Sequence, residues 1–282
     1  MTAGRFIALV LSVALATAGC GHTGHHAAEL VVGSRSGVEA TLLADIYTGA
    51  LRSYGFPART EQAPNPLAQL DSGAFGVVPS LTGRVLQAFQ PGATVRSDAQ
   101  VYKAMIGALP EGIAAGDYTT AAEDKPALAV AESTSKSWGG SDLGTLPQHC
   151  DGLIVGSIAG APTPPAIGSC RLPATREFTD DAKLFAAVKA GEVTAAWTTT
   201  ADPNVPADLV VLTDGKPALL QAENVVPLYR RNELTDRQLL AVNEVAGVLD
   251  TAALVEMRRQ VTAGADPQAV ADAWLNEHPL GR

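Results

Sequence analysis

Short apolar runs alternate with segments of helical spacing along most of this chain, and any fold must accommodate both. The run "LVVGS" (residues 30–34) reads as a buried strand; Leu42, Leu43, Ile46, Leu51 and Tyr54 then recur at helical spacing up to Gly55. "FGVVPS" (residues 75–80) reads as a short strand after the helix-like "PLAQLDSG". "AQVYKAMIGAL" (residues 99–109) is helical, and "PALAVA" (126–131) and "GLIVGS" (152–157) are strands. Thr179 is placed to cap a helix carrying Leu184, Phe185 and Val188, which ends at Gly191 and leads into a strand reaching Trp197. "DLVVLTD" (208–214) and "VVPLY" (225–229) are further strands. The tail is helical: Thr235 with Gln238 makes a capping box, Asp250 caps a second helix, and Asp266-Pro267 starts a third. Strands alternating with helices predict a mainly parallel α/β architecture.

With 282 residues, 46% hydrophobic and 17% charged, the chain can build one large domain or two ordinary ones. The net charge of -9, with no basic stripe, argues against a nucleic-acid partner. Arg5 precedes "FIALVLSVALATA", which has the length of a signal peptide and is too short to span a bilayer. Residues 1–19 are therefore read as a signal peptide and the mature chain as exported. "ATA" (residues 16–18) fits an ordinary cleavage site, which would give a secreted protein. "TAGC" (17–20) resembles a lipobox, with Thr17 where Leu or Val is usual, which would leave Cys20 lipidated on the outer face of the cytoplasmic membrane. Of the three cysteines, Cys20, Cys150 and Cys170, two can pair in an oxidising compartment; lipidation of Cys20 accounts for the third. Residues 20–28 read as a tether. His22, His25 and His26 sit there among Gly, Thr and Ala, which supply no rigid frame, so no metal site is expected.

The turn "GSRSG" (residues 33–37) raises the question of chemistry. A nucleophile elbow needs serine at its centre, and Arg35 stands there. Neither a phosphate loop nor a dinucleotide fingerprint is present. No cofactor and no catalytic constellation is expected. A strand-to-helix turn at the carboxyl end of a strand remains, the place where open α/β sheets bind small ligands. Backbone N–H groups there, with Arg35 adding charge, can receive an anionic group. Equally, Ser36 can cap the helix while Arg35 faces water.

Several segments, in order, resemble the substrate-binding proteins of glycine betaine/choline (osmoprotectant) ABC importers. "VVGSRSGVEATLLADIYTGAL" looks like that family's first strand and helix, and "LDSGAFGVVPSLTG" like its helix-Gly-strand-turn. "LPEGIAAGDYTTAAEDKPALAV" resembles its crossover into a second lobe. "AVKAGEVTAAWTTTADP", "DLVVLTDGKPALLQAENVVPLYR" and the helical tail follow in the family's order. The resemblance covers nearly all of residues 29–281. It implies a two-lobed type II periplasmic binding protein, α/β, with mainly parallel sheets joined by two crossover strands. The expected lobes are residues 29–125 plus 225–282, and an inserted 126–224. Cys150 and Cys170 both fall in the insertion and are expected to form a disulfide. The partners implied are a small-molecule ligand, an ABC permease and the membrane through the lipid anchor, with the protein a monomer.

The residues matching the family's site depart from its aromatic pattern. Arg35 follows Gly33-Ser34 where a basic residue is usual; Leu81, ahead of Thr82, replaces the tyrosine of Pro-Glu-Tyr-Thr-Gly; Arg84 replaces a threonine. Pro126 and Glu223 stand where tyrosines are usual, Trp197 keeps an aromatic, and the second-lobe arginine has no counterpart in "GSIAGAPTPP". The expected ligand-binding set is Ser34, Arg35, Leu81, Thr82, Arg84, Asp124, Trp197, Thr198, Thr199 and Glu223. A polar or zwitterionic ligand suits it better than glycine betaine. The leading reading is a solute-binding lipoprotein of an ABC importer. The alternatives are a non-transporting envelope sensor or assembly factor on the same fold, and an envelope enzyme, which the lack of catalytic groups disfavours.

Overall fold

The computed structural model describes residues 29–281; the leader, Cys20 and the histidine-bearing tether lie outside them. Strand β1 (Leu30–Ser34) runs parallel to β2 (Ala58–Gln62) and β3 (Val77–Leu81), with helices α1 (Val38–Ser53) and α2 (Pro66–Asp71) as the connections. Helices α3 (Thr82–Phe89) and α4 (Asp98–Ala108) lead to β4 (Ile113–Ala115). The chain then builds a second sheet. It passes through β5 (Pro126–Ala131), α5 (Glu132–Ser137), a 3-10 turn (Leu143–His149) and β6 (Val155–Ile158). A small hairpin, β7 (Ala166–Ile167) and β8 (Cys170–Arg171), precedes β9 (Arg176–Phe178), α6 (Asp181–Lys189), β10 (Ala195–Thr199) and β11 (Leu209–Val211). It returns as β12 (Val225–Arg230) and ends in α7 (Asp236–Val248), α8 (Thr251–Thr262) and α9 (Pro267–Glu277).

The two five-stranded sheets have the orders β2-β1-β3-β12-β4 and β11-β5-β10-β6-β9. Each contains two parallel and two antiparallel pairings, so both are mixed rather than mainly parallel as expected. The cause is the pair of crossings. β12 comes back from the second sheet and wedges antiparallel between β3 and β4; β5 enters that sheet antiparallel to both of its neighbours. Where the crossing segments pass each other, Glu123 bridges Asn224, and the Asp124 N–H donates to the Glu223 carbonyl at 2.9 Å.

Helix α1 is buried over residues 42–51 without a break, as a helix must be when one side meets a sheet and the other meets helices. Leu42, Ile46 and Tyr47 pack there with Val242, Leu254 and Trp274 of the tail helices. The opposite face of the first sheet is filled by Phe75, Val85, Leu86, Val101 and Met105. In the second sheet, Trp197 joins Leu128, Leu143 and Leu146 on one face, and Leu184, Phe185 and Val188 of α6 cover the other.

Local signals explain most helix starts. Thr235 and Gln238 form the reciprocal capping box, Asp250 accepts from the Ala253 N–H at 2.7 Å, and Asp266 accepts from Ala269 at 2.9 Å. Two starts differ from expectation. The cap of α6 is Asp180, which accepts from the Lys183 N–H at 2.9 Å, while the Thr179 hydroxyl donates to Asp180. Helix α1 begins after Gly37 with no side-chain cap, so Ser36 does not cap it. Cys150 and Cys170 are disulfide-bonded, pinning the end of the 3-10 turn to the β7–β8 hairpin.

Packing explains one glycine of the turn at 33–37 and backbone conformation the other. A Cβ on Gly33 would lie 1.9 Å from the Phe75 ring, and Gly37 has φ +126°, a conformation that L side chains rarely adopt. Phe75 is 2% exposed and cannot move away without opening the core between the first sheet and α3. Gly33→Ala is therefore expected to destabilise the protein by about 2 kcal/mol or more, read as a lower urea midpoint with an unchanged slope.

Candidate functional site

A cavity of about 900 Å³ lies between the two sheets and takes its walls from both. The first lobe contributes Arg84 and Gln87 of α3 and Arg258 of α8, with Asp124 and Glu223 from the two crossing segments. The second lobe contributes Pro126, Trp197, Thr198 and Thr199 from its strands, the proline-rich loop at residues 162–164, and Asp181, Asp202 and Asn204.

The first-lobe wall is a network of charges. Asp124 is 2% exposed, and a carboxylate so buried needs partners. Arg258 Nη1 stands 3.1 Å away, Arg84 Nη2 stands 3.8 Å away, and the Ala201 N–H donates to Oδ1 at 3.1 Å. Arg84 Nη1 also reaches Glu39 at 3.2 Å. Glu223 does a different job. Its carboxylate accepts the Arg84 backbone N–H at 2.8 Å, in the first turn of α3, whose own N-cap residue Leu81 supplies no side-chain bond. It thus serves as a capping acceptor delivered from the crossing segment.

Two of these carboxyl groups hold protons far more tightly than usual. Burial, with the negative charge of Asp124 next, pushes Glu39 up to about 7 against the opposing pull of Arg84. Burial likewise pushes Glu223 up to about 7, although the N–H groups it caps favour its charged form.

The second-lobe wall is neutral or acidic. The Thr198 hydroxyl donates to Asp202 at 2.7 Å. The Asn204 backbone N–H donates to Asp202 at 2.9 Å, and its side-chain amide donates to Asp181 at 2.8 Å. Burial and then the charge of Asp202 raise the Asp181 pKa above its ordinary value.

Of the residues expected at a ligand site, Arg84, Asp124, Trp197, Thr198, Thr199 and Glu223 lie on this cavity wall. Arg35 and Leu81 do not. They line a second cavity of about 510 Å³ within the first lobe, adjoining the first through Arg84 and Gln87. Ser34 is 2% exposed and Thr82 fully buried. The Thr82 hydroxyl accepts from the Asn224 N–H at 3.1 Å and faces the Ala222 carbonyl at 3.4 Å, so it is committed to holding β12. No residue of the turn at 33–37 reaches the inter-lobe cavity. The sequence reading missed Gln87, Asp181, Asp202, Asn204 and Arg258. Asp181 looks like an ordinary first-turn helix acid, Asp202-Pro203-Asn204 like a turn, and Arg258 like a surface residue of a tail helix.

Glu39 generates a pH prediction. An acid whose folded-state pKa is raised lets the native state keep a proton that the unfolded chain has lost. Its stabilising contribution is full below about 4.5 and is lost as pH rises towards 7. Glu39→Gln keeps an acceptor for Arg84 and removes the titration. Its melting temperature should match the wild type near pH 5 and exceed it at pH 8, by a stability difference on the order of 1–3 kcal/mol. Thermal melts across that range test it. Some slope should remain, because Glu223 titrates in the same window.

Known proteins share this fold. The family model described as the substrate-binding domain of the ABC-type glycine betaine transport system matches residues 28–277. No curated protein matches the chain. Among solved structures, the chain is similar to apo YehZ from Escherichia coli at 19% identity and a TM-score of 0.70, covering 90% of this chain and 99% of that one. A structure of a glycine betaine/carnitine/choline ABC transporter gives 14% identity and a TM-score of 0.72, covering 88% and 98%. An ABC-transporter choline binding protein in complex with choline gives 17% and 0.54, covering 89% of each chain. At these identities the likeness is one of fold.

Proposed function

On the premise that the chain belongs to the family of substrate-binding domains of ABC-type glycine betaine transport systems, we propose that it is an extracytoplasmic solute-binding lipoprotein of an ABC importer. It is held to the outer face of the cytoplasmic membrane through Cys20, captures a small polar or zwitterionic molecule between its lobes, and releases it to a permease. It acts as a monomeric carrier rather than as an enzyme.

The observation that carries this reading is the cavity itself. Its walls come from two sheets joined by two crossing segments, so rotation about those segments changes the enclosed volume. Polar groups converge from both sides, as capture between lobes requires.

The ligand departs from glycine betaine. A quaternary ammonium has no N–H and is held best by ring faces. Trp197 is the one aromatic residue on the cavity wall among the described residues, and it is 7% exposed. Pro126 and Glu223 occupy positions where the resemblance leads one to expect tyrosines.

Native mass spectrometry of the protein purified from its host should show a small co-purified ligand. Small-angle scattering should then give a smaller radius of gyration with that ligand than without it. An unchanged radius counts against transport. Calorimetry with glycine betaine should show an affinity weaker by a factor of ten or more per missing ring, since each desolvated cation–π contact contributes on the order of 2 kcal/mol. Micromolar betaine binding defeats that part of the reading. Mass spectrometry of the N-terminal peptide decides the anchor: a diacylglyceryl-modified Cys20 is expected, and an unmodified N-terminus starting at Gly19 contradicts it.

A further inference from the structure

We propose that the second-lobe wall of the cavity is a subsite for a cation that bears N–H groups, held by Asp181 and Asp202, and that the ligand is accordingly a protonated amine rather than a quaternary ammonium. This rests on the carrier reading and names its substrate class. Four carboxyl groups, Asp124, Asp181, Asp202 and Glu223, line the cavity against two guanidiniums, Arg84 and Arg258. Both guanidiniums already have carboxylate partners in the first lobe: Arg258 meets Asp124, and Arg84 meets Glu39 and Asp124. Asp181 and Asp202 have only neutral partners among the described residues, namely Thr198 and Asn204. The negative charge of this wall is thus without a counter-charge among the described residues.

The geometry favours donors. Asn204 binds both carboxyl groups, its backbone N–H on Asp202 and its side-chain amide on Oδ2 of Asp181, which fixes them side by side. Oδ1 of Asp181 is left for a donor from the cavity. An ammonium there forms short charge-assisted hydrogen bonds, whereas a trimethylammonium presents only methyl groups and cannot. Trp197 lies on the same wall, and its Nε1 has no hydrogen-bond partner among the described residues; an acceptor atom elsewhere on the ligand would complete it. One ring does not make a cage, so the feature that rewards full methylation of the nitrogen is missing.

Isothermal titration with matched pairs tests this. The probes are lysine and Nε-trimethyllysine, 4-aminobutanoate and its N-trimethyl derivative, and putrescine and its bis-trimethyl derivative. At least one protonated member should bind, with its methylated partner at least tenfold weaker. Asp181→Asn and Asp202→Asn should each weaken that binding tenfold or more while the thermal melt stays that of the wild type. Equal or tighter binding of the methylated members overturns the inference and leaves the carrier reading intact. Unchanged affinity in both variants overturns it as well. Absence of binding by all six probes also overturns it, and the carrier reading is then judged on the co-purified ligand and the scattering change.

Discussion

The buried charge of Asp124 is the constraint on which the rest of the site depends. It sits on a crossing segment, 2% exposed, and a carboxylate in that position is costly unless it is paired. Its partners come from three distant parts of the chain: Arg84 at the start of α3, Arg258 in the tail helix α8, and the Ala201 N–H just after β10. The first two tie the crossing to the first lobe, and the third ties it to the end of a second-lobe strand. Ala201 is itself buried in the first lobe's core beside Ala122 and Leu254. The tail helices therefore do more than cover the first sheet, because α8 supplies the shorter of the two ion pairs that Asp124 makes. Glu39 then adds another carboxyl group to a network whose two guanidiniums already serve Asp124; its burial first, and the charge of Asp124 second, raise its pKa.

The crossing is held by short polar ties rather than by packing. Lys125 and Thr200 exchange hydrogen bonds: the Thr200 N–H donates to the Lys125 carbonyl at 2.9 Å, and the Thr200 hydroxyl accepts from the Lys125 N–H at 3.1 Å. Thr82, Thr119 and Asn224 make a similar set within the first lobe, where the Asn224 amide donates to the Thr119 carbonyl at 3.0 Å. Buried or partly buried, such bonds specify one path for each segment. Their number is small enough that rotation about them costs little compared with opening either core.

Signals that act over three or four residues were legible in the sequence. The capping box at Thr235, the caps at Asp250 and Asp266, and the apolar face of α1 are local, and the folded chain uses them as read. Competition between neighbours was not legible: Thr179 and Asp180 both carry a capping oxygen, and the stronger acceptor takes the role. Strand β2, with its sequence ARTEQ, has no apolar alternation; it is a strand because β1 offers it an edge. The mixed sheets follow from the return of β12, a long-range event that strand–helix alternation cannot report. For the site, the positions drawn from the family resemblance divide by structural layer. Thr198 and Glu223 meet the cavity, while Leu81 and Thr82 face inward, one packed in the core and the other hydrogen-bonded to Asn224 just before β12. Arg258 carried no signal at all, since an arginine on an amphipathic helix usually faces water.

The departures from an aromatic cage are connected. Glu223, standing where the resemblance suggests a ring, places a carboxylate on the first turn of α3, and that helix has no cap of its own. Gly83 next to it must stay small, because a Cβ there would lie 2.7 Å from the Glu223 carboxyl group and the Ala222 carbonyl. Arg84 follows at once and turns its guanidinium to Glu39 and Asp124. A ring at position 223 would remove the cap and an acidic group together, and leave Arg84 in a less acidic setting. The replacement of rings by charges is thus a property of the whole first-lobe wall, spread from α1 to α8. A ligand must meet that wall by hydrogen bonding and charge, with apolar contact supplied from the other side by Pro126, Ile158, Ala161, the proline-rich loop and Trp197.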